Sequence, residues 1–222
     1  ARQAEVLIHV VDISGSTDIQ GQSVNVGTHD PREDIKFAEE EFDFWFKQIL
    51  EREWQKLSKE IEKTKTKLVD GIADRFSGLG VKVNHVHEVL QNLGLLTKKP
   101  VEWNNSDLTK FAQMLRKKTK PMLIAANKAD LCKSLEITNE IHKNREIINC
   151  SAETELLLKK AAKADLIEYI PGNEKFVINK NVDISAPQKA ALNLAESVLS
   201  KLNSTGIQTA LNSAVFRVLK LI

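Results

Sequence analysis

Residues 121–126, Pro-Met-Leu-Ile-Ala-Ala, form an uninterrupted apolar run that ends at Asn127. A run this short predicts a strand covered on both faces, as strands of a parallel sheet are. Residues 6–11, Val-Leu-Ile-His-Val-Val, have the same character, and Arg-Glu-Ile-Ile-Asn at 145–149 predicts a third strand. Between and after these runs the apolar residues recur at helical spacing. Strands separated by helices predict an α/β fold with a mainly parallel sheet.

The first strand is followed by residues 12–30, rich in Gly, Ser, Asp and Asn, which read as a long loop. Asp30-Pro31-Arg32-Glu33 then starts a helix, with Asp30 as cap, Pro31 in the first turn and Glu33 placed to close a capping box. Ile35, Ala38, Phe42, Trp45, Ile49 and Leu50 continue it, and Trp45 and Trp54 are candidate core anchors. From Trp54 the apolar stripe narrows to Leu57, Ile61, Thr64, Leu68 and Ile72, flanked by Lys and Glu. That pattern suits a coiled-coil-like hairpin. Ser77-Gly78-Leu79-Gly80 marks its end, and Val86, Val89, Leu90 and Leu93 predict a shorter returning helix. Residues 51–105 therefore read as a helical insert between 1–50 and 106–222. Further helices are predicted from a cap at Asn105 or Ser106 to Arg116, over 134–143, from Ser151 to about Lys163, from Ser185 to Leu202, and over 207–219 after a turn at Gly206.

Composition excludes several classes. The formal net charge of the 222 residues is only +2, so no global field draws the chain to nucleic acid or membrane. No apolar run approaches the roughly 20 residues that span a bilayer. Cys132 and Cys150 lack metal-ligand spacing, and two cysteines suit a reducing cytoplasm. His85 and His87 lack a third ligand, so no metal site is expected. A basic cluster of Lys98, Lys99, Lys110, Arg116, Lys117, Lys118 and Lys120 admits two readings: contact with RNA phosphates, or a solvated helix end. The chain opens on Ala1 rather than Met, which suggests that further sequence precedes it.

The sharpest chemical signal is Asn127-Lys128-Ala129-Asp130, directly after the strand at 121–126. Ligands of α/β sheets sit beyond the carboxyl ends of strands. A carboxylate there can accept two hydrogen bonds from the Watson–Crick edge of guanine, whereas adenine has no matching donors and would leave it unpaired, at a cost of roughly 1–3 kcal/mol. The Lys128 stem can lie along the base, and the Asn127 amide can bridge base and loop. Alone, the tetrapeptide also fits an ordinary helix-capping loop. Cys150-Ser151-Ala152 adds a second signal at the end of the next strand. A small residue at that turn lets a backbone N–H approach the guanine carbonyl, while Ser151 also suits a plain N-cap. The order strand, NKxD, helix, strand, CSA, helix is far more specific than either piece. Asn127, Lys128, Asp130, Cys150, Ser151 and Ala152 are the candidate guanine-binding residues.

The chain resembles the archaeal-type YchF GTPases of the Obg family over nearly its whole length. The resemblance is carried by Leu7-Ile8-His9-Val10-Val11-Asp12, His29-Asp30-Pro31 with Glu33-Asp34-Ile35, Ile124 to Asp130, Lys159 to Ala164, Ile167 to Gly172, and Ser204-Thr205-Gly206-Ile207-Gln208. It implies a partial P-loop NTPase or G-domain fold with a helical insert, a translation-associated nucleotide hydrolase, and GTP as ligand. Many members lack NKxD and prefer ATP, and retention of Asp130 points to guanine. GxxxxGK[ST] does not occur in the 222 residues. The resemblance places that loop, its Mg²⁺ and both switch segments upstream of Ala1, and a TGS domain after Ile222. Asp12-Ile13-Ser14-Gly15 fits a DxxG switch by letter, but no phosphate loop precedes it, and Asp12 reads as the strand-end residue that opens the loop. No residue is assigned to catalysis or metal binding, and this chain by itself is expected to be inactive. The alternative is a nucleotide-independent module that docks the ribosome or another partner through its helical insert.

Overall fold

The computed structural model describes residues 3–132, 134–142 and 145–221. The chain divides into two compact units, one of Ala1–Leu7 with Lys36–Met122 and the other of Ile8–Ile35 with Leu123–Ile222.

The first unit is helical. It takes most of α1 (Pro31–Thr64), then α2 (Leu68–Arg75), α3 (Val83–Asn92) and α4 (Asn105–Thr119). Its core extends past 51–105 on both sides, because Phe46, Leu50, Phe111, Ala112 and Leu115 pack with Trp54, Ile72 and Leu90 in one buried cluster. Trp54 stacks on Trp103 at 4.5 Å, and Phe111 meets Trp103 edge-on at 5.2 Å. Trp54 is thus a core anchor as expected, while Trp45 only flanks the cluster. Burying each such side chain contributes about 1.5–3 kcal/mol, so residues on both sides of the expected insert are bound into the same unit.

The first long helix breaks earlier than the glycines at 78 and 80 suggest. Lys65 takes a left-handed φ of 55°. The Thr64 hydroxyl donates to Glu60 O at 2.8 Å and pairs with the Thr66 hydroxyl at 2.7 Å. Hydroxyls that bond the local backbone compete with helix propagation, and Thr64-Lys65-Thr66 is the weakest stretch of the stripe. Helix α4 is capped at Asn104, one residue before the first of the expected caps. Asn104 accepts from the Asp107 N–H at 2.9 Å, and the Asp107 carboxylate accepts from the Asn104 N–H at 2.9 Å, closing a capping box.

The second unit holds the three-stranded sheet, in the order β1 (Leu7–Asp12), β2 (Met122–Asn127), β3 (Ile147–Asn149). β2 and β3 run parallel, with Ile124 opposite Ile147 and Ala126 opposite Asn149. The Leu7 N–H donates to Pro121 O and the Ile13 N–H to Asn127 O, both at 3.0 Å. Bonds that advance together along both strands identify β1 and β2 as parallel too. Helices α5 (Glu136–His142) and α6 (Ala152–Lys163) follow β2 and β3. The expected end of α5 at Lys143 lies outside the described residues. Val11, Ile13, Ile35, Ile124, Ala126 and Ile147 form the core of the sheet.

The rest of this unit comprises a small hairpin of β4 (Ile167–Glu168) and β5 (Val177–Ile178), then α7 (Ala186–Leu202) and α8 (Ile207–Asn212). Helix α7 opens at Ser185 as expected, and Ser185 and Gln188 close a capping box on it. The helix expected over 207–219 changes pitch, because Ser213–Val218 winds as a π-helix. Helix α1 opens at Pro31 as expected, with Asp30 Oδ1 accepting from the Arg32 N–H at 3.0 Å.

Candidate functional site

All three strands of the parallel sheet end on one edge, at Asp12, Asn127 and Asn149. The turns leaving β2 and β3 are joined by backbone and side-chain bonds. The Cys150 N–H donates to Ala126 O at 2.8 Å, and the Ala129 N–H donates to Cys150 O at 3.1 Å. The Asn127 side chain crosses between them, its Oδ1 accepting from the Ala152 N–H at 3.0 Å. Asn127 and Ala152, chosen from separate sequence segments, are therefore in direct contact.

Each remaining candidate has a definite place. Lys128 has a left-handed φ of 60°, which folds the loop back sharply after the strand. Its Nζ is 2.7 Å from Asp12 Oδ2, 2.8 Å from Thr17 Oγ1 and 3.1 Å from Ser16 Oγ. The ammonium is thus anchored at one end, and the stem spans the strand ends. The Asp130 carboxylate has no hydrogen-bond or ion-pair partner among the described residues, and the residue is half-buried. It lies three residues beyond Asn127 in the loop that leaves β2, an acceptor without a partner among the described residues.

Cys150 and Ser151 face inward. The Cys150 side chain is fully buried, and burial pushes its thiol up to about 12. It works through its backbone, as the strut between the two turns. Ser151 occupies the expected N-cap position of α6 but does not cap with its hydroxyl, which donates to Thr154 Oγ1 at 2.8 Å. Its N–H donates to Thr205 O at 2.9 Å. Of the CSA turn, the Ala152 backbone is the portion presented beside Asn127.

Asp12 has a larger part than opening a loop. Its carboxylate accepts from the Ser14 N–H at 3.0 Å and from the hydroxyls of Ser14, Ser16 and Thr17 at 2.5, 2.8 and 2.6 Å, besides pairing with Lys128. Burial alone would raise its pKa, but the Lys128 ammonium and these hydroxyls outweigh burial and hold the carboxyl well below the usual range. Asp12 thus ties the end of β1 to its own loop and to Lys128. The loop behind it closes through Gly15, whose φ is 62° and where a Cβ would lie 2.2 Å from His29 O. His29 is fixed in turn by Asp34 at 2.9 Å.

A second support lies under the CSA turn. Glu155, buried in the first turn of α6, accepts from the Thr205 hydroxyl at 2.5 Å and from the Tyr169 hydroxyl at 2.8 Å. Burial, and then the Glu155 carboxylate, push the Tyr169 phenol up to about 12. Gly206, with φ 77°, packs so closely that a Cβ would sit 1.9 Å from Asn149 O. The segments around Tyr169 and Thr205 stood out in the sequence by resemblance alone, and the structure shows them as the foundation of this turn.

The basic cluster is largely spent on internal contacts. Lys98 pairs with Asp107 at 2.6 Å, Lys118 with Glu88 at 2.6 Å, and buried Arg116 with Asp43 at 2.6 Å. The Lys120 ammonium, also buried, donates to Ala4 O at 2.6 Å. Four of the seven basic side chains thus have partners within the chain, and two of those four, Arg116 and Lys120, are buried. No group of His, Cys, Asp and Glu suited to a metal ion is found among the described residues. No helix among them is long and apolar enough to cross a membrane.

Residues 125–222 match the model of the Obg-like GTPase YGR210-like, G4 motif-containing domain. The matched segment begins two residues before Asn127 and includes all six candidates. Over its whole length the chain is 35% identical to a GTP-binding protein of Methanocaldococcus jannaschii, of which it covers 55%. Across 96% of its length it is 28% identical to a GTP-binding protein of Schizosaccharomyces pombe, of which it covers 54%. The chain thus spans about half the length of these relatives. The crystal structure of a GTP binding protein from Pyrococcus horikoshii OT3 superposes on the whole chain with a TM-score of 0.81 at 42% identity, the chain covering 59% of that protein. The α/β architecture is therefore G-domain-like, and the segment similar to the Obg-like model holds β2 from Ala125 onward, β3 and the turns after both.

Proposed function

We propose that the turns after β2 and β3 form a guanine-recognition site, and that this chain is the base-reading half of a GTP-binding protein of the Obg and YchF type. The observation that carries this reading is the bond from the Ala152 N–H to Asn127 Oδ1, which joins the two turns beside an Asp130 carboxylate without a partner among the described residues. Asp130 accepts from N1–H and the 2-amino group of guanine. The Lys128 stem, anchored by Asp12, lies along the base, and the Asn127 side-chain N–H₂, its oxygen held by the Ala152 N–H, donates to the carbonyl edge. Adenine offers the opposite donor pattern on that edge, so the half-buried acceptor goes unsatisfied. The GTP-binding relatives support GTP as the ligand.

The reading assigns no residue of this chain to the phosphates, to Mg²⁺ or to hydrolysis. A phosphate loop supplies a nest of N–H groups and a Lys, and the 222 residues contain no GxxxxGK[ST]. A base site of a few hydrogen bonds at about 1 kcal/mol each meets an association cost of at least about 4 kcal/mol. Binding by this chain is therefore expected near the millimolar range, about −4 kcal/mol. The resemblance to YchF proteins, and no contact within the structure, supports a cytoplasmic, translation-associated setting. Calorimetric titration with GTP and ATP tests the proposal. Weak binding that favours GTP supports it, and equal binding of the two removes Asp130 from its role.

A further inference from the structure

The loop that carries Asp130 is held from outside by one side chain. Lys201, on the last turn of α7, donates to Ala129 O at 3.2 Å, to Asp130 O at 2.9 Å and to Cys132 O at 2.5 Å. An ammonium has three N–H groups and no acceptor, and here all three meet backbone carbonyls of a single loop. Carbonyls that converge on one point repel each other, and a cation among them makes that backbone conformation favourable. The base of the lysine is fixed: Leu199 is buried in the core of its own helix layer, and Leu202 packs against the core of the sheet. Asn203, with a left-handed φ of 63°, ends the helix just beyond.

We infer that Lys201 is a positioning residue for guanine selection: it clamps the 129–132 loop so that the Asp130 carboxylate faces the base. This inference rests on the guanine-recognition reading above. The peptide carbonyl of Asp130 is itself one of the three acceptors, so the clamp sets the backbone from which the recognising carboxylate extends. Lys201 is an exposed residue, so its loss leaves no buried cavity. What changes is the freedom of the loop. A carboxylate that must meet two donors at once is sensitive to that freedom, whereas stacking on the base is not.

The 2-amino group of guanine, absent from hypoxanthine, reports this alignment. The experiment compares GDP, IDP and ADP by chemical-shift titration of the ¹⁵N-labelled chain. The wild type is expected to prefer GDP over IDP by roughly tenfold, the effect of one hydrogen bond to a carboxylate. Lys201→Met should bring that ratio close to one and shift the Ala129 to Leu131 amides, with the remaining spectrum unchanged. Lys201→Arg, which can still donate to several carbonyls, should keep most of the preference. A Lys201→Met chain that retains the full GDP to IDP ratio overturns the inference. Should Lys201→Met not fold, Lys201→Gln decides, since one amide cannot satisfy three carbonyls: a reduced ratio supports the clamp and an unchanged ratio overturns it. A wild type that fails to favour GDP over ADP is a different failure, because it removes the base site itself.

Discussion

Gly206→Ala attacks the foundation of the CSA turn at its tightest point. The new Cβ would lie 1.9 Å from Asn149 O, 2.9 Å from Asn149 C and 3.1 Å from Cys150 Cα, all backbone atoms of the strand end. None of these is the tip of a flexible side chain, so the turn or the strand must move. The backbone at Gly206 has a φ of 77°, where an alanine costs about 1–2 kcal/mol by itself. Displacement would also break the Ser151 N–H bond to Thr205 O, another ~1 kcal/mol. With the residual clash, the loss is expected to reach about 3 kcal/mol or more. Gly21→Ala is the matched control. It has nearly the same φ, 79°, but nothing lies within 4 Å of its Cβ, so only the conformational cost of about 1–2 kcal/mol remains. Native-state hydrogen exchange of the β2 amides reads the unfolding free energy of the sheet unit, whereas all three tryptophans lie in the helical unit. A Gly206→Ala chain no less protected than Gly21→Ala would refute the close packing argued here.

Asp12 titrates below the ordinary carboxylate range when folded, so its contribution is complete above about pH 4 and is lost as the pH falls further. Asp12→Asn should flatten the acid limb of a stability curve below that pH, and an unaltered limb would show that the Lys128 pair carries no linkage. His29 has the opposite sign, since its hydrogen bond to Asp34 raises its pKa above the usual value. Its stabilisation of the 12–30 loop is present below about pH 6.5 and declines as the pH rises through the raised value. An amide-exchange series across that range should show the decline in the wild type and its absence in His29→Ala. Burial raises both thiols, that of Cys150 to about 12, so neither should react with a disulfide reagent at pH 8 until urea is added. Rapid labelling of the native chain would contradict the inward placement of Cys150.

Much of the sheet was legible because its signal is local. A short apolar run such as 121–126 can bury both faces only as a covered strand, and β2 lies there within a residue. The helical unit was legible in kind but not in extent. Its core joins Phe46 to Phe111, and no spacing rule connects residues so far apart in sequence. The break after Thr64 depends on hydroxyls choosing local partners, a competition that periodicity does not score. The β4–β5 hairpin has strands of two residues each, too short for any alternation to register. The contact between Asn127 and Ala152 was legible because strand ends converge in any parallel sheet. Asp12 was noticed, but its use was not, because the partner that explains it lies 116 residues away. Lys201 carried no signal, being one lysine among many on the polar face of a helix.

The central claim is that Asp130 reads the base, and its most direct test exchanges what Asp130 can donate and accept. An asparagine in its place keeps one acceptor for N1–H and presents an N–H₂ where the carboxylate accepted from the 2-amino group. Xanthine has N1–H and a carbonyl at that second position. The decisive measurement is the ratio of GDP to XDP affinity for the wild type and for Asp130→Asn, titrated side by side. The account predicts that the wild type favours GDP and that Asp130→Asn favours XDP. The same ratio in both chains would contradict it.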